Sequence, residues 1–171
     1  MRRHLFLLLA TPLLNGCGLI TFDVDRELPE QRIEGNLVTM LLDGWLENPI
    51  PMNIDLEQET AARDAGPACG ARLTSLTFDI TPTAEGVGDD EDFDFVDRVA
   101  LFVDADGLPR RQLAALDPVP QNASRIALEP SDLDLLPYVE RGATITAEVS
   151  GSPPPDDVTF DGAYVVEVEA L

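Results

Sequence analysis

Residues 143–149 read Ala-Thr-Ile-Thr-Ala-Glu-Val, and residues 164–169 read Tyr-Val-Val-Glu-Val-Glu. In the first stretch Ile145 and Val149 fall on one side of an extended chain, with Thr144, Thr146 and Glu148 on the other. In the second, Tyr164, Val166 and Val168 oppose Glu167 and Glu169. Successive side chains of a strand point to opposite faces, so this two-residue period puts one face in a core and the other in water. Antiparallel sheets carry that pattern when one face is packed and the other solvated.

Towards the N-terminus the same period recurs. Leu76, Phe78 and Ile80 alternate with Thr77 and Asp79, and Phe93, Phe95, Val99, Leu101 and Val103 lie to one side of residues 93–104. Asp97 breaks that parity, which predicts a bulge or a register change. Asp106-Gly107 is a turn signal. Gln112–Leu116 and Arg125–Leu128 read as further strands, the second with Ile126 and Leu128 inward. About seven strands at this spacing predict a mainly β fold: an immunoglobulin-like or related antiparallel β-sandwich with one or two short helices.

One helix is expected at Asp55–Arg63, with Asp55 as N-cap and Gln58 completing a capping box. The other is a single turn over Ser131–Tyr138, capped by Ser131 and stopped near Pro137. Leu37–Leu46 reads equally as strand or short helix. Gly151–Asp157 is a proline-stiffened surface loop. Tyr138, ahead of a late strand, has the place of a tyrosine corner, and a plain core tyrosine is the other reading. The 14 Pro and 12 Gly of the 171 residues suit a turn-rich β domain and oppose a helical bundle. The sandwich is expected to occupy residues 35–171 as one domain.

The start of the chain has a different character. Met1-Arg2-Arg3-His4 precedes an apolar run from Leu5 to Leu14, then Asn15, Gly16 and Cys17. A basic start and a short apolar run before a small residue make an export signal over residues 1–16. The run is too short to span a bilayer, which needs about 20 residues. Leu14, Gly16 and Cys17 resemble the −3, −1 and +1 positions of the bacterial lipobox, and Asn15 departs from its usual residue at −2. The resemblance implies cleavage after Gly16, diacylglycerol on the Cys17 thiol and acylation of the new amine. Gly18 in place of Asp favours the outer membrane by the enterobacterial sorting convention. Residues 17–34 are then expected to be the lipidated Cys and a tether. The later order of strand, Leu-rich turn with Tyr, strand, Pro loop and strand is similar to bacterial surface lipoproteins of no assigned activity.

If Cys17 is lipidated, Cys69 stands alone in the loop-like Gly66-Pro67-Ala68-Cys69-Gly70. A Cys17–Cys69 disulfide is the competing arrangement, and it requires an unlipidated Cys17.

The composition excludes much chemistry. The single His is His4 and there is no Lys, so the chain beyond the signal has neither. That leaves no Ser-His-Asp or Cys-His pair, no His-ligated zinc, no Lys Schiff base and no P-loop lysine. With Cys69 the lone further thiol, dithiol redox chemistry is also excluded, and no Gly-rich dinucleotide fingerprint is present. A non-enzymatic protein is expected. A hydrolase using two carboxylates is the remaining enzymatic alternative, weakened by the scarcity of aromatic residues: Trp45, two Tyr and seven Phe.

Thirty-two acids face 11 basic residues, all Arg; losing Arg2 and Arg3 leaves 9, a net charge of −23. Such a surface repels nucleic acid and anionic lipid headgroups, leaving cations, basic proteins and neutral surfaces as partners. No cofactor is expected, with calcium the one candidate. Asp89, Asp90, Asp92 and Asp94, beside Glu91 and Asp97, could supply oxygen ligands to calcium in an adhesion-type surface module. A solvated acidic loop explains the same residues. Asp104-Ala105-Asp106-Gly107 lacks the rest of an EF-hand, and some 33 Å of extended strand separates it from Asp94. Asn122-Ala123-Ser124 matches a glycosylation sequon, which carries little weight in a bacterial lipoprotein. The functional expectation is an envelope protein anchored to the membrane by lipid, binding an envelope protein or polymer.

Overall fold

The computed structural model describes residues 17–33, 35, 54–82 and 92–171. Over these residues the chain runs β1 (Ile20–Ile33), α1 (Leu56–Ala61), β2 (Ala68–Thr81), β3 (Val96–Asp104), β4 (Arg111–Leu116), β5 (Arg125–Ala127), β6 (Glu129–Pro130), α2 (Leu136–Val139), β7 (Thr144–Gly151) and β8 (Val158–Ala170). The strands form two antiparallel four-stranded sheets, ordered β1-β8-β2-β5 and β6-β4-β3-β7. This is the mainly β sandwich that the alternation implies. An immunoglobulin constant domain keeps its first, second, fourth and fifth strands together in one sheet. Here the last described strand lies between the first and second, so this is a related sandwich of different order.

Three register shifts explain how imperfectly alternating strands still keep one apolar face. In β1, Val24 and Leu28 are buried, and so is Ile33, which has the opposite parity. The ladder with β8 shifts between Leu28 and Gln31, and that slip turns Ile33 inward opposite Val158. In β2 the shift between Leu73 and Ser75 passes burial from Ala71 and Leu73 to Leu76 and Phe78. In β3 the shift between Val96 and Arg98 passes it from Val96 to Val99, Leu101 and Val103. The last is the break expected at Asp97. An unbulged strand would turn half of each apolar set to water.

The core fills the space between the sheets. Leu73, Leu76, Tyr164, Val166 and Val168 come from one sheet, and Leu101, Val103, Leu113, Ile145 and Val149 from the other. At the far end Phe160 stacks edge-on against Phe78 and Phe93, at centroid distances of 5.8 and 6.4 Å. Gly162 of β8 lies between Leu28 and Phe78 of its two neighbours. A Cβ there would lie 2.7 Å from the Thr77 carbonyl oxygen and 2.9 Å from Phe78 Cδ1.

The first helix starts as expected, with Asp55 Oδ1 accepting the Gln58 N–H at 3.0 Å. Leu56 and Thr60 are its buried face. Glu59 accepts from Arg63 at 2.6 Å and also pairs with Arg26 of β1, while the Arg63 guanidinium sits 4.3 Å over the Phe22 ring.

The second helix differs from expectation. It begins after Leu135, contains Pro137 in its first turn, where proline is tolerated, and is not stopped by it. Ser131 does not cap it; its hydroxyl donates to the Gln112 carbonyl. Asp134 Oδ1 instead accepts the N–H groups of Leu136 and Ala71, both at 3.1 Å, pinning the turn to β2. The Tyr138 hydroxyl donates to the Pro109 carbonyl at 2.9 Å, 29 residues upstream. A tyrosine corner closes onto backbone only a few residues away, so Tyr138 is a different tie, from α2 to the β3–β4 connection.

The segment expected as a tether, residues 17–34, holds the largest departure in organisation, over residues 20–33. The tether expected there is strand β1, paired with β8 from Ile20↔Ala170 to Ile33↔Val158. Its acids Asp23, Asp25, Glu27 and Glu30 hid the strand, because they are the exposed positions of an edge strand, Glu30 within its register shift, where charge is tolerated.

Candidate functional site at the Cys17 end

Cys17 lies three residues before β1 begins, and the chain around it is built into the end of the sandwich. Ile20 opposes Ala170, which also opposes Ala68, so the start of β1, the end of β8 and the start of β2 meet there. The Leu171 carbonyl accepts the Gly66 N–H at 2.8 Å, and the Leu171 N–H reaches the Pro67 carbonyl at 3.3 Å. Cys69 is therefore not in a loop, as its Gly- and Pro-rich surroundings suggested, but in the first turnless residues of β2.

This convergence brings the two sulfurs together. Cys17 and Cys69 form a disulfide, with Cα atoms 5.8 Å apart across 52 residues of sequence. The sulfur that would carry diacylglycerol is the one engaged here. A thioether and a disulfide at Cys17 exclude each other, so the described geometry corresponds to the unlipidated alternative. Leu14 and Gly16, the other lipobox positions, lie outside the described residues.

A Glu169 carboxylate oxygen, with the two sulfurs, completes a group of potential ligand atoms within 4.8 Å of one another. The donor set does not suit a metal. Both sulfurs belong to one disulfide, and metal binding by cysteine needs thiolate. A shallow cavity of about 120 Å³ adjoins this corner, lined by Cys69, Arg72, Asp134, Glu167 and Glu169 among others.

The same end carries the exposed large apolar side chains of the described residues. Leu19 is 78 % exposed, Ile20 40 % and Leu171 43 %. Sequence reasoning passed over them because Leu19 and Ile20 sit in a stretch taken as tether.

The acidic segment is brought together only in part. Asp89, Asp90 and Glu91 lie outside the described residues. Asp92 Oδ1 accepts the Asp94 N–H at 2.9 Å, and Asp94 Oδ1 accepts the Asn122 N–H. Both described carboxylates thus tie down the backbone that leads into β3. Asp97 is exposed on β3, and Asp104 is at the other end of that strand.

Several carboxylates elsewhere are likewise engaged. An open cleft of about 760 Å³ is lined by Arg26, Asp55, Glu57 and Glu140 among others. Its Asp55 is the α1 cap. The Arg63 hydrogen bond, followed by those of Arg26, holds Glu59 below its ordinary range against the opposing effect of burial. The Gly35 N–H, then Arg32, does the same to Asp157. Burial raises the Tyr164 hydroxyl. No helix among the described residues is long and apolar enough to cross a membrane. Comparison with family models, curated proteins and solved structures found no match.

Proposed function

We propose that this chain is a non-enzymatic module of a bacterial cell envelope, exported and held at a membrane through lipid on Cys17. Its sandwich then binds or supports another envelope component. The observation that carries the reading is Leu14-Asn15-Gly16-Cys17 behind a short apolar run. The absence of Lys from the chain, and of His beyond His4, supports a binding or structural role over catalysis. The net charge favours basic or neutral partners over nucleic acid, and Gly18 in place of Asp favours the outer membrane.

A second reading is favoured by the Cys17–Cys69 bond itself: an exported but unlipidated sandwich, stapled at its N-terminus. Labelling with a fatty acid, followed by fractionation of wild type and Cys17→Ser, separates the two. The anchored form takes up label in the wild type, and Cys17→Ser does not. The stapled form takes up none. Its Cys17→Ser variant instead loses about 4 kcal/mol of stability, the loop-entropy value for a closure of this length.

A further inference from the structure

The apolar end of the sandwich raises the question of what covers Leu19, Ile20 and Leu171. Ile20 and Ala170 are cross-strand partners, so Leu19 and Leu171 lie one step further along the same ladder. The three residues are therefore neighbours at one tip, with Leu19 and Leu171 just beyond the Ile20–Ala170 pair, not single apolar residues scattered over the surface. Point of attachment and patch also coincide. Leu19 lies within about 7 Å of chain from Cys17 and Ile20 within about 11 Å, at the maximum reach of an extended backbone. With β1 hydrogen-bonded from Ile20 onward, little free chain separates a membrane anchor at residue 17 from the folded sheet.

We infer that Leu19, Ile20 and Leu171 form a lipid-contacting rim that seats the sandwich, Cys17 end down, on the bilayer surface. The inference rests on the anchored reading above and adds an orientation to it. Charge selects the kind of surface. Asp23 of β1 and Glu167 and Glu169 of β8 lie within three residues of the Ile20–Ala170 pair at the rim, against Arg63 and Arg72, so zwitterionic headgroups fit better than anionic ones. An apolar rim enters only the headgroup and upper acyl region. The opposite end, with Ser152 and the start of β8, then faces away from the membrane and is free for a partner.

The test uses the full chain, purified from membranes and reconstituted into phosphatidylcholine vesicles with brominated acyl chains. Leu19→Trp reports the rim and Ser152→Trp the far end; Trp45 is common to both and is subtracted with the parent chain. Flotation of the vesicles is measured on the same samples. The inference expects co-flotation and quenching at position 19 at least about threefold that at position 152, as for a side chain at the acyl boundary. Co-flotation with equal, weak quenching at both positions overturns the rim and leaves the anchor standing. Chains that do not float overturn both. Weak quenching at position 19 with a doubled mass in sedimentation overturns the rim in favour of a second copy on the same patch.

Discussion

Gly162 is the residue whose side chain, or lack of one, most constrains the core. It sits in the middle of a three-strand contact, where Leu28 and Phe78 close over it from either side. Any Cβ meets the Thr77 carbonyl, which is backbone and cannot rotate away. Gly162→Val is expected to cost about 2 kcal/mol or more, read as a lowered urea midpoint with an unchanged slope. Glu59 shows the electrostatic counterpart. Its carboxyl is held low in the folded state by Arg63 and Arg26. A depressed acid contributes stability above its unfolded pKa and loses it as pH falls through the folded value. Melts of wild type and Glu59→Gln should therefore differ by about 1 kcal/mol at neutral pH and converge in acid, as the pH falls through the depressed folded value. A difference that persists in acid would assign the effect to packing. The Tyr138 hydroxyl is a third single-group contact: Tyr138→Phe frees the Pro109 carbonyl and is expected to cost about 1 kcal/mol.

At the level of elements, the strands with unbroken alternation were legible and those with a parity switch were only half so. Residues 144–151 and 158–170 are β7 and β8, where apolar and polar positions alternate. The break at Asp97 was legible because apolar residues flank it on both parities. The same logic applied to Leu73 and Leu76 would have revealed the second shift. β1 was missed for a different reason: its buried positions Val24, Leu28 and Ile33 are spaced four and five apart, and most of the residues between them are charged. An edge strand whose inner face meets a helix and ion pairs needs few apolar residues, so its period is dilute. Asp55 at the start of α1 was legible because capping is local chemistry, and Asp55→Ala should lower stability by about 1 kcal/mol. Asp134, which holds α2, was not, because one of its two acceptances comes from Ala71, 63 residues away. The loop carboxylates Asp92 and Asp94 already accept backbone N–H groups. Millimolar calcium against chelator is therefore expected to leave the melting midpoint unchanged; a rise would mean that the native state binds the ion by mass action.

For the molecule as a whole, the Cys17 end is where fold and proposed function meet. The sheet starts there, its last strand finishes there, and the exposed apolar side chains gather there. From the sequence, Cys17 was legible through the residues before it, while its proximity to Cys69 arises only once β1 and β2 both pair with β8. The two fates of that sulfur give molecules of different mass. Intact mass spectrometry of the chain extracted from the membrane fraction is the most direct test. The anchored account expects a chain beginning at Cys17 and heavier than its sequence by a diacylglyceryl group and an acyl group, with Cys69 alkylatable after unfolding. A chain of unmodified mass, two hydrogens lighter for a Cys17–Cys69 bond and recovered from the soluble fraction, would contradict it.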